Sequence, residues 1–325
     1  MDALSDVLKS VRLDGAVYLL AEFTAPWCMR ARYGLVSLHR PLRPGEHVVY
    51  FHYVMDGACR VRLDEGGASL AAHAGDIVMF PRDDHHRVAS DMQLAPVEGD
   101  AVVSQIDPAD PGLIRMRYGG GGEATRFVCS YLIGQRAMLR PLVDALPPML
   151  VIRLGDDPAA TFVRELLNAG VRESASAMPG GESTRAKVAE LLFVEAMRRH
   201  VDALPKGGAG WFAGLRDPQV GRALSAIHGR PSHAWTVDTL AAEAALSRSA
   251  FAERFAELAG DPPMQYLTRW RLALAAQALR AGDEAISRIA ERAGYDSDAA
   301  FSRAFRREHG VPPATWRREA SGGTR

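Results

Sequence analysis

The sequence contains little that would indicate secretion, a membrane span or a disulfide framework. Only three cysteines occur in 325 residues, an odd number at wide spacing, which is typical of a chain whose thiols stay reduced. The amino terminus lacks the basic start of a secretion signal, and no apolar run approaches membrane-spanning length. We therefore expect a cytoplasmic protein with no membrane partner.

An overall charge of one sign is also missing, because 39 Lys and Arg balance 39 Asp and Glu. Such a chain is not expected to coat nucleic acid indiscriminately, although local charge could still bind it. The composition that is present, 47% hydrophobic and 24% charged, is that of an ordinary globular protein. At this length two or three domains are expected.

The pattern of apolar residues changes along the chain. Short β-type runs such as 47–54 and 76–80 alternate with turn residues and favour a barrel or sandwich. An apolar stripe across Val188–Met197 predicts a helix that is either core or a pairing surface for two subunits. Four glycines at 119–122 suggest a flexible junction. The predicted regions are a β-barrel over 1–122, a helical region that is a candidate for dimerisation over 123–204, a linker over 205–216 and a helical domain over 217–325.

A helix-turn-helix pattern occurs twice in the last ninety residues. The runs 246–255 and 296–305 carry Ser, Ala, Phe and Phe at matched places. Ser247 and Ser297 are each placed to cap the second helix of their unit. Each unit can present one helix to a DNA major groove, and one long helix over 262–281 would set the two about 34 Å apart.

Residues 217–318 resemble the DNA-binding domain of the AraC/XylS family of bacterial regulators. The resemblance rests on Leu246–Phe251, Pro262–Leu267, Ile289–Tyr295 and Gly310–Pro313. It implies a transcription regulator, not an enzyme, with double-stranded DNA and RNA polymerase as partners.

The same resemblance locates the residues that would meet DNA. Its base-reading positions fall on Ser249, Ala252 and Glu253 in the first unit, and on Asp298, Ala299, Ser302 and Arg303 in the second. Neighbouring positions expected to contact DNA are Ser247, Arg248, Ala256, Ser297, Arg306 and Arg307. Glu253 could accept from a cytosine amino group or pair with Arg248 or Arg254, and Arg303 could bind a guanine or a phosphate.

Residues 75–86 resemble the second motif of cupin barrels, with Asp83 in place of the usual glycine, and 54–57 resembles the end of the first motif. The resemblance implies a cupin-type ligand-binding half over residues 1–205. The fold class expected for the whole chain is multidomain α+β. It comprises a cupin-like β-barrel with a helical tail and an all-α domain of two helix-turn-helix units joined by a long helix.

Metal-binding cupins use three His and one Glu, and only His86 stands at its expected ligand position. A degenerate metal site of Glu46, His52 and His86 is one alternative, and a satisfied histidine pair inside the barrel is the favoured one. We expect no cofactor. Tyr50, His52 and His86 are candidate contacts for an unknown small-molecule effector. Cys28 and Cys59 could sense oxidants, but they are better explained as buried and inert.

Three interpretations of the whole chain remain open. The first is a regulator whose barrel senses a small molecule and changes the engagement of DNA or RNA polymerase, with a homodimer as its candidate assembly. The second is a constitutive DNA binder with an inert barrel. The third, a cupin enzyme with an attached DNA module, is disfavoured because most metal ligands are missing.

Overall fold

The structure is a computed structural model, and it describes residues 3–11, 13–31, 42–43, 45–103, 114–174, 181–205, 208–282 and 284–321. Its N-terminal elements are α1 (Ala3–Ser10), β1 (Asp14–Thr24), β2 (Cys28–Ala31), β3 (Glu46–Asp56), β4 (Ala58–Leu63), β5 (Leu70–His73), β6 (Asp76–Phe80), β7 (His86–Ala89), β8 (Val97–Glu98), α2 (Gly99–Val103), β9 (Ile114–Gly119), β10 (Ala124–Gln135), α3 (Arg136–Val143), β11 (Leu150–Arg153), α4 (Pro158–Ser174) and α5 (Gly181–Ala203). The C-terminal elements are α6 (Trp211–Arg216), α7 (Val220–Gly229), α8 (Val237–Ala244), α9 (Arg248–Ala259), α10 (Pro263–Ala281), α11 (Ile286–Arg292), α12 (Asp298–His309) and α13 (Pro313–Ser321).

Two sheets form the N-terminal half. The six-stranded sheet has the order β11-β6-β3-β10-β1-β9, and the five-stranded sheet has the order β5-β4-β7-β2-β8. Most neighbouring strands are antiparallel, but β1 with β9 and β2 with β8 are parallel. The β-rich half and the helical half predicted from the sequence are both present.

Strand β3 is buried on both of its faces because it has packing partners on each side. Successive side chains of a strand point to opposite faces. The even-numbered apolar residues pack between the two sheets, and the odd-numbered ones pack in a core shared with the helices: Val48, Tyr50 and Val54 on one face, Val49, Phe51 and Tyr53 on the other.

Strand β10 corrects the predicted organisation of residues 123–204. The sequence predicts helix there, whereas Ala124–Gln135 is a strand between β1 and β3, and Leu150–Arg153 is an edge strand. Residues 127–134 are all buried. A strand covered on both faces shows a continuous apolar run, which periodicity cannot distinguish from a buried helix.

The glycines of 119–122 form a tight connection within the sandwich, not the predicted flexible junction. Gly119 has φ +136, and a Cβ there would lie 1.9 Å from the carbonyl oxygen of Thr24. The N–H groups of Gly120 and Gly122 donate to the carbonyl oxygens of Thr24 and Ala25. Glycine is needed because the chain crosses the end of β1 at backbone contact distance.

The predicted linker 205–216 contains the short helix α6, and residues 206–207 lie outside the described part. Trp211 and Phe212 are buried at the start of this helix. Trp211 Nε1 donates to the hydroxyl of Tyr266 at 2.8 Å. The segment was predicted as a linker because it is rich in Pro and Gly. The two buried aromatic side chains instead attach α6 to the DNA-binding half.

The two helix-turn-helix units differ in how they are packed. The first unit shares one continuous apolar core with the six-stranded sheet and its helices, a core that includes Phe51, Phe193 and Phe251. The second unit has a separate core around Phe301, Phe305 and Trp316. The N-terminal half is therefore fused through packing to the first unit and contacts the second only at its edge.

Candidate DNA interface and sensor core

Local capping builds both helix-turn-helix units as the sequence predicts. Thr236 and Thr239 form a reciprocal capping box at the start of α8. Ser247 and Ser297 accept from the N–H groups of Ala250 and Ala300 at 3.4 and 3.3 Å. These caps satisfy backbone donors at the starts of α9 and α12, the first and second recognition helices.

Buried aromatic side chains set which face of each recognition helix points outward. Phe251 and Phe255 in the first helix, and Phe301 and Phe305 in the second, are fully buried. Ser247, Arg248, Ser249 and Glu253 are consequently exposed, and Ala252 and Ala256 are half-buried. In the second unit Ser297, Asp298, Ala299, Arg303, Arg306 and Arg307 are exposed, and Ser302 is half-buried. The structure thus brings the predicted DNA-contacting residues onto two solvent-facing helix surfaces.

The arginines of the first recognition helix are already paired with carboxylates. Arg248 Nη1 lies 2.7 Å from Asp238 Oδ2, and Arg254 Nη2 lies 2.5 Å from Asp217 Oδ2. Glu253 has neither arginine as a partner, and no ion pair for it occurs among the described residues. The outward face of the first helix therefore consists of small side chains and an unpaired carboxylate.

The second recognition helix has the opposite character. Among the described residues, no carboxylate lies within ion-pair distance of Arg303, Arg306 or Arg307, all of which are exposed. Unpaired guanidiniums are available for phosphate oxygens or guanine edges. Most of the unpaired positive charge on the two recognition helices therefore lies on the second unit.

The C-terminal end of the second recognition helix meets the N-terminal half. Glu308 Oε1 lies 3.7 Å from Arg140 Nη1 of α3, and its Oε2 lies 3.9 Å from Arg269 Nε of the connecting helix α10. Gly45, with φ +77, packs against Trp316 so closely that a Cβ there would lie 2.4 Å from the indole. We call Gly45, Arg140, Glu308 and Trp316 the interdomain contact. Across the two halves these residues are 168 or more positions apart in sequence, so no local pattern could reveal the contact.

Between the two sheets, three side chains form a buried hydrogen-bond chain. His52 Nδ1 lies 3.0 Å from Cys129 Sγ, and His52 Nε2 lies 3.0 Å from His86 Nε2. His86 Nδ1 lies 3.0 Å from the carbonyl oxygen of Asp84. The chain joins β10 and β3 of the six-stranded sheet to β7 of the five-stranded sheet.

The carbonyl of Asp84 fixes every proton in this chain. A carbonyl only accepts, so His86 Nδ1 carries the proton and neutral His86 Nε2 accepts from His52 Nε2. His52 Nδ1 then accepts from the Cys129 thiol. Burial lowers the pKa of His52 to about 3 and lowers the pKa of His86 well below its usual value. Both imidazoles therefore remain neutral, as the predicted satisfied pair requires.

The alternative metal set of Glu46, His52 and His86 does not assemble. Glu46 begins β3 and accepts from the N–H of Arg43 at 2.8 Å. Six residues of extended strand, ~20 Å, separate it from His52. No group of three or more His, Cys, Asp or Glu suited to a metal occurs in the described ranges. Shared strand parity places residues on one face of a strand without placing them near each other.

Tyr50 lies beside this chain in the same interior. Its ring is fully buried and stands edge-on to Tyr131 at 6.3 Å. Asp83 adopts φ +61, so the left-handed turn that a cupin motif gives to glycine is retained with aspartate. Burial, followed by the charge of Asp84, raises the pKa of Asp83 to about 6.

Burial dominates the chemistry of the three cysteines, although Arg87, Arg62 and Arg30 partly oppose it at Cys28. Cys28, Cys59 and Cys129 are all free and buried. Burial raises the pKa of Cys28 and Cys129, and raises the pKa of Cys59 to about 12. The thiolate is the nucleophilic form, so these thiols are held in their unreactive state.

The apolar stripe of α5 is mostly core. Val188, Leu192 and Met197 are buried in the core shared with the six-stranded sheet. Two large apolar side chains of this layer are exposed: Leu191 at 42% and Phe162 of α4 at 59%.

Among the helices of the described ranges, none combines the length and the apolar character that a membrane span requires.

The two halves define the class of protein: a cupin domain joined to a DNA-binding helix-turn-helix domain. The chain matches family models described as Cupin over residues 2–202 and Helix-turn-helix domain over residues 240–319. A putative AraC-like transcription regulator of Streptomyces lividans is 35% identical over 318 residues, covering 98% of each chain. The chain belongs to the AraC family of transcription regulators.

Two further proteins illustrate the range of similarity. The HTH-type transcriptional regulator AlkR of Acinetobacter baylyi is 29% identical over 325 residues, covering 98% of this chain and 100% of AlkR. The solved DNA-binding domain of AdpA, a global transcriptional factor in complex with a target DNA, is 32% identical. That match covers 33% of this chain and 96% of that domain, with a TM-score of 0.31.

Proposed function

We propose that this AraC-family regulator binds an operator through both recognition helices, and that its cupin domain senses a small molecule that alters this binding. In this proposal Arg303, Arg306 and Arg307 supply base or phosphate contacts, and Ser249, Ala252 and Glu253 read bases without adding positive charge. The helix α10 holds the two readers at a fixed separation, so they enter successive major grooves on one DNA face.

The interdomain contact is the observation that supports sensing most directly. Glu308 belongs to the second recognition helix, and its partner Arg140 belongs to the cupin half. A ligand that favours one placement of α3 over another would shift the population in which this helix is correctly oriented. Tyr50, His52 and His86 are the proposed effector contacts inside the sandwich.

A second function, constitutive DNA binding with an inert sandwich, is supported by the packing of the interior. Phe80 stacks on His86 with ring centroids 3.4 Å apart, and Tyr50 and His52 are also buried there. A filled interior needs a conformational change before it can accept an effector. An enzymatic role is not proposed, because the related proteins above are regulators.

Homodimerisation and RNA polymerase contact complete the proposal. Phe162 and Leu191 expose apolar surface on the helical layer of the cupin half, and a second copy is its proposed partner. RNA polymerase is proposed as a partner because the related proteins are described as transcription regulators. The cytoplasm is the proposed location because a bacterial regulator must reach the chromosome.

The test is footprinting of the full chain on DNA upstream of its own gene, across a salt series. Protection of two half-sites about one helical turn apart supports the two-reader proposal. Repeating the footprint after addition of cell metabolite fractions tests sensing. Unchanged protection with every fraction would favour the constitutive alternative.

A further inference from the structure

A cavity of about 290 Å³ lies where the cupin half meets the first helix-turn-helix unit. It opens between α3 on one side and α6, α9 and α10 on the other. Ligand sites occur preferentially at domain interfaces, and this volume is near the lower end of their usual range. A molecule placed here would contact both halves of the chain.

Aromatic side chains form one wall of this cavity. Trp211, Tyr266 and Trp270 all line it. The Tyr266 hydroxyl is held by Trp211 Nε1 and by His228 Nε2, each at 2.8 Å. The wall is therefore fixed before any ligand enters, and little ordering entropy would be lost on binding.

Carboxylates outnumber guanidiniums around the same cavity. Arg140 is paired with Asp144 and Glu308, and Arg269 is paired with Asp261 and Glu308. Glu257 also lines the cavity and has no ion pair among the described residues. The cavity lining thus holds three carboxylates, Asp144, Glu257 and Asp261, against two guanidiniums, which leaves a formal charge of −1.

Aromatic faces combined with excess carboxylate recognise organic cations, because ring quadrupoles and carboxylates both attract positive charge. We propose that this cavity is a second effector site, distinct from the one at Tyr50, His52 and His86 inside the sandwich, and that its ligand is a small organic cation such as an alkylammonium. The inference rests on the proposed sensing function and names the place and the chemical class of this second ligand.

The position of the site explains how binding would reach both readers. Glu257 and Leu258 are in the last turns of the first recognition helix. Arg140 and Arg269 hold Glu308 of the second recognition helix. A cation in the cavity competes with Arg140 and Arg269 for Asp144 and Asp261, so its binding changes how the two arginines hold Glu308 and thereby alters the interdomain contact.

The test uses full-length protein and calorimetric titration with choline chloride and with its neutral isostere 3,3-dimethylbutan-1-ol. We expect choline to bind at least tenfold more tightly than the alcohol. Glu257→Gln should weaken choline several-fold, and Glu165→Gln, an exposed glutamate on α4, should not. Ala137→Phe should fill the cavity and abolish binding, and Ala169→Phe, on the exposed side of α4, should leave it unchanged.

DNA affinity of each variant, measured in the same preparation, separates the outcomes. Three results would overturn the cation site in a protein that still binds DNA: no binding of choline, equal affinity for choline and the alcohol, or unchanged choline affinity in Ala137→Phe. Each of these results would leave the regulator proposal intact. If the unmodified protein does not bind DNA, that result instead contradicts the proposed function. Where the site is correct, choline must change operator affinity, and operator DNA must change choline affinity by the same factor.

Discussion

Arg140 and Glu308 are 168 positions apart in sequence, yet their Nη1 and Oε1 atoms lie 3.7 Å apart. The pair joins the helix that follows the central strand of the cupin half to the last turn of the second recognition helix. Both side chains are partly exposed, so the pair itself adds at most ~1 kcal/mol to stability. In the proposed function, its importance lies in the orientation it gives to the helix that would read DNA.

Gly45→Ala should have two effects: it strains the backbone at residue 45, and it also disturbs the interdomain contact. The variant would place a Cβ 2.4 Å from the Trp316 indole, so the ring must move. Gly121→Ala is the matched control, because Gly121 has φ +86 and open space around it. Both variants should lose about 1 kcal/mol in urea unfolding, and only Gly45→Ala should also change operator affinity. Equal DNA affinity in the two variants would show that the contact has no part in reading DNA.

Arg306→Ala and Arg248→Ala should differ in their effect on the salt dependence of DNA binding. Arg306 has no carboxylate partner among the described residues, whereas Arg248 is held by Asp238 at 2.7 Å. Loss of one phosphate contact reduces the salt slope by about 1. We expect that reduction for Arg306→Ala and a smaller one for Arg248→Ala, measured by titration of operator DNA between low and moderate salt. Equal reductions would contradict the assignment of positive charge to the second unit.

Ala245→Gly should stabilise the first helix-turn-helix unit. Ala245 ends α8 in the left-handed region with φ +53, where a Cβ is unfavourable and glycine is not. The expected gain in the free energy of unfolding is about 0.5–1 kcal/mol. Ala242→Gly, on the exposed side of the same helix, should instead lose about 1 kcal/mol. If urea unfolding gives changes of the same sign for Ala245→Gly and Ala242→Gly, the left-handed conformation of Ala245 is refuted.

Acid should destabilise the protein through its buried neutral histidines. Burial lowers the pKa of His52 and His228 to about 3 and that of His86 well below 6.5. Below about pH 6.5 the unfolded chain binds protons at these sites and the folded chain does not, so stability falls as pH falls.

Each histidine contributes up to about 1.4 kcal/mol per pH unit in that range. Urea unfolding at pH 7.5 and 5.5 measures the loss. His52→Gln should reduce the pH dependence, and His85→Gln, at the exposed neighbour of His86, should preserve it. An unreduced pH dependence in His52→Gln would contradict the neutral hydrogen-bond chain.

The features that the sequence predicted correctly depend on neighbours a few residues apart. Ser247 and Ser297 cap their helices because the acceptor and the N–H it satisfies lie three positions apart. Phe251 and Phe255 are buried because their spacing places them on one helix face. The same local logic found the second recognition helix and the connecting helix α10.

The features that the sequence could not give depend on distant partners. Cys129 joins the histidine chain because register pairs it with His52 across two strands, and register is set by the whole sheet. The strand that carries Cys129 was predicted as helix, because a strand buried on both faces lacks the alternation of apolar and polar residues by which a strand is recognised. The interdomain contact and the cavity beside it likewise depend on how two halves pack, which no local pattern encodes.

The central claim is that the cupin half controls how the second recognition helix meets DNA, and footprinting of Arg140→Glu against the unmodified chain tests it most directly. Arg140→Glu places a carboxylate opposite Glu308 and so reverses the attraction. We expect both half-sites to be protected by the unmodified chain, and the half-site read by the second unit to change its protection in the variant. Arg126→Glu, at a distant arginine of the cupin half that pairs with Asp56, should leave both half-sites as they were. Identical footprints for Arg140→Glu and the unmodified chain would contradict the claim.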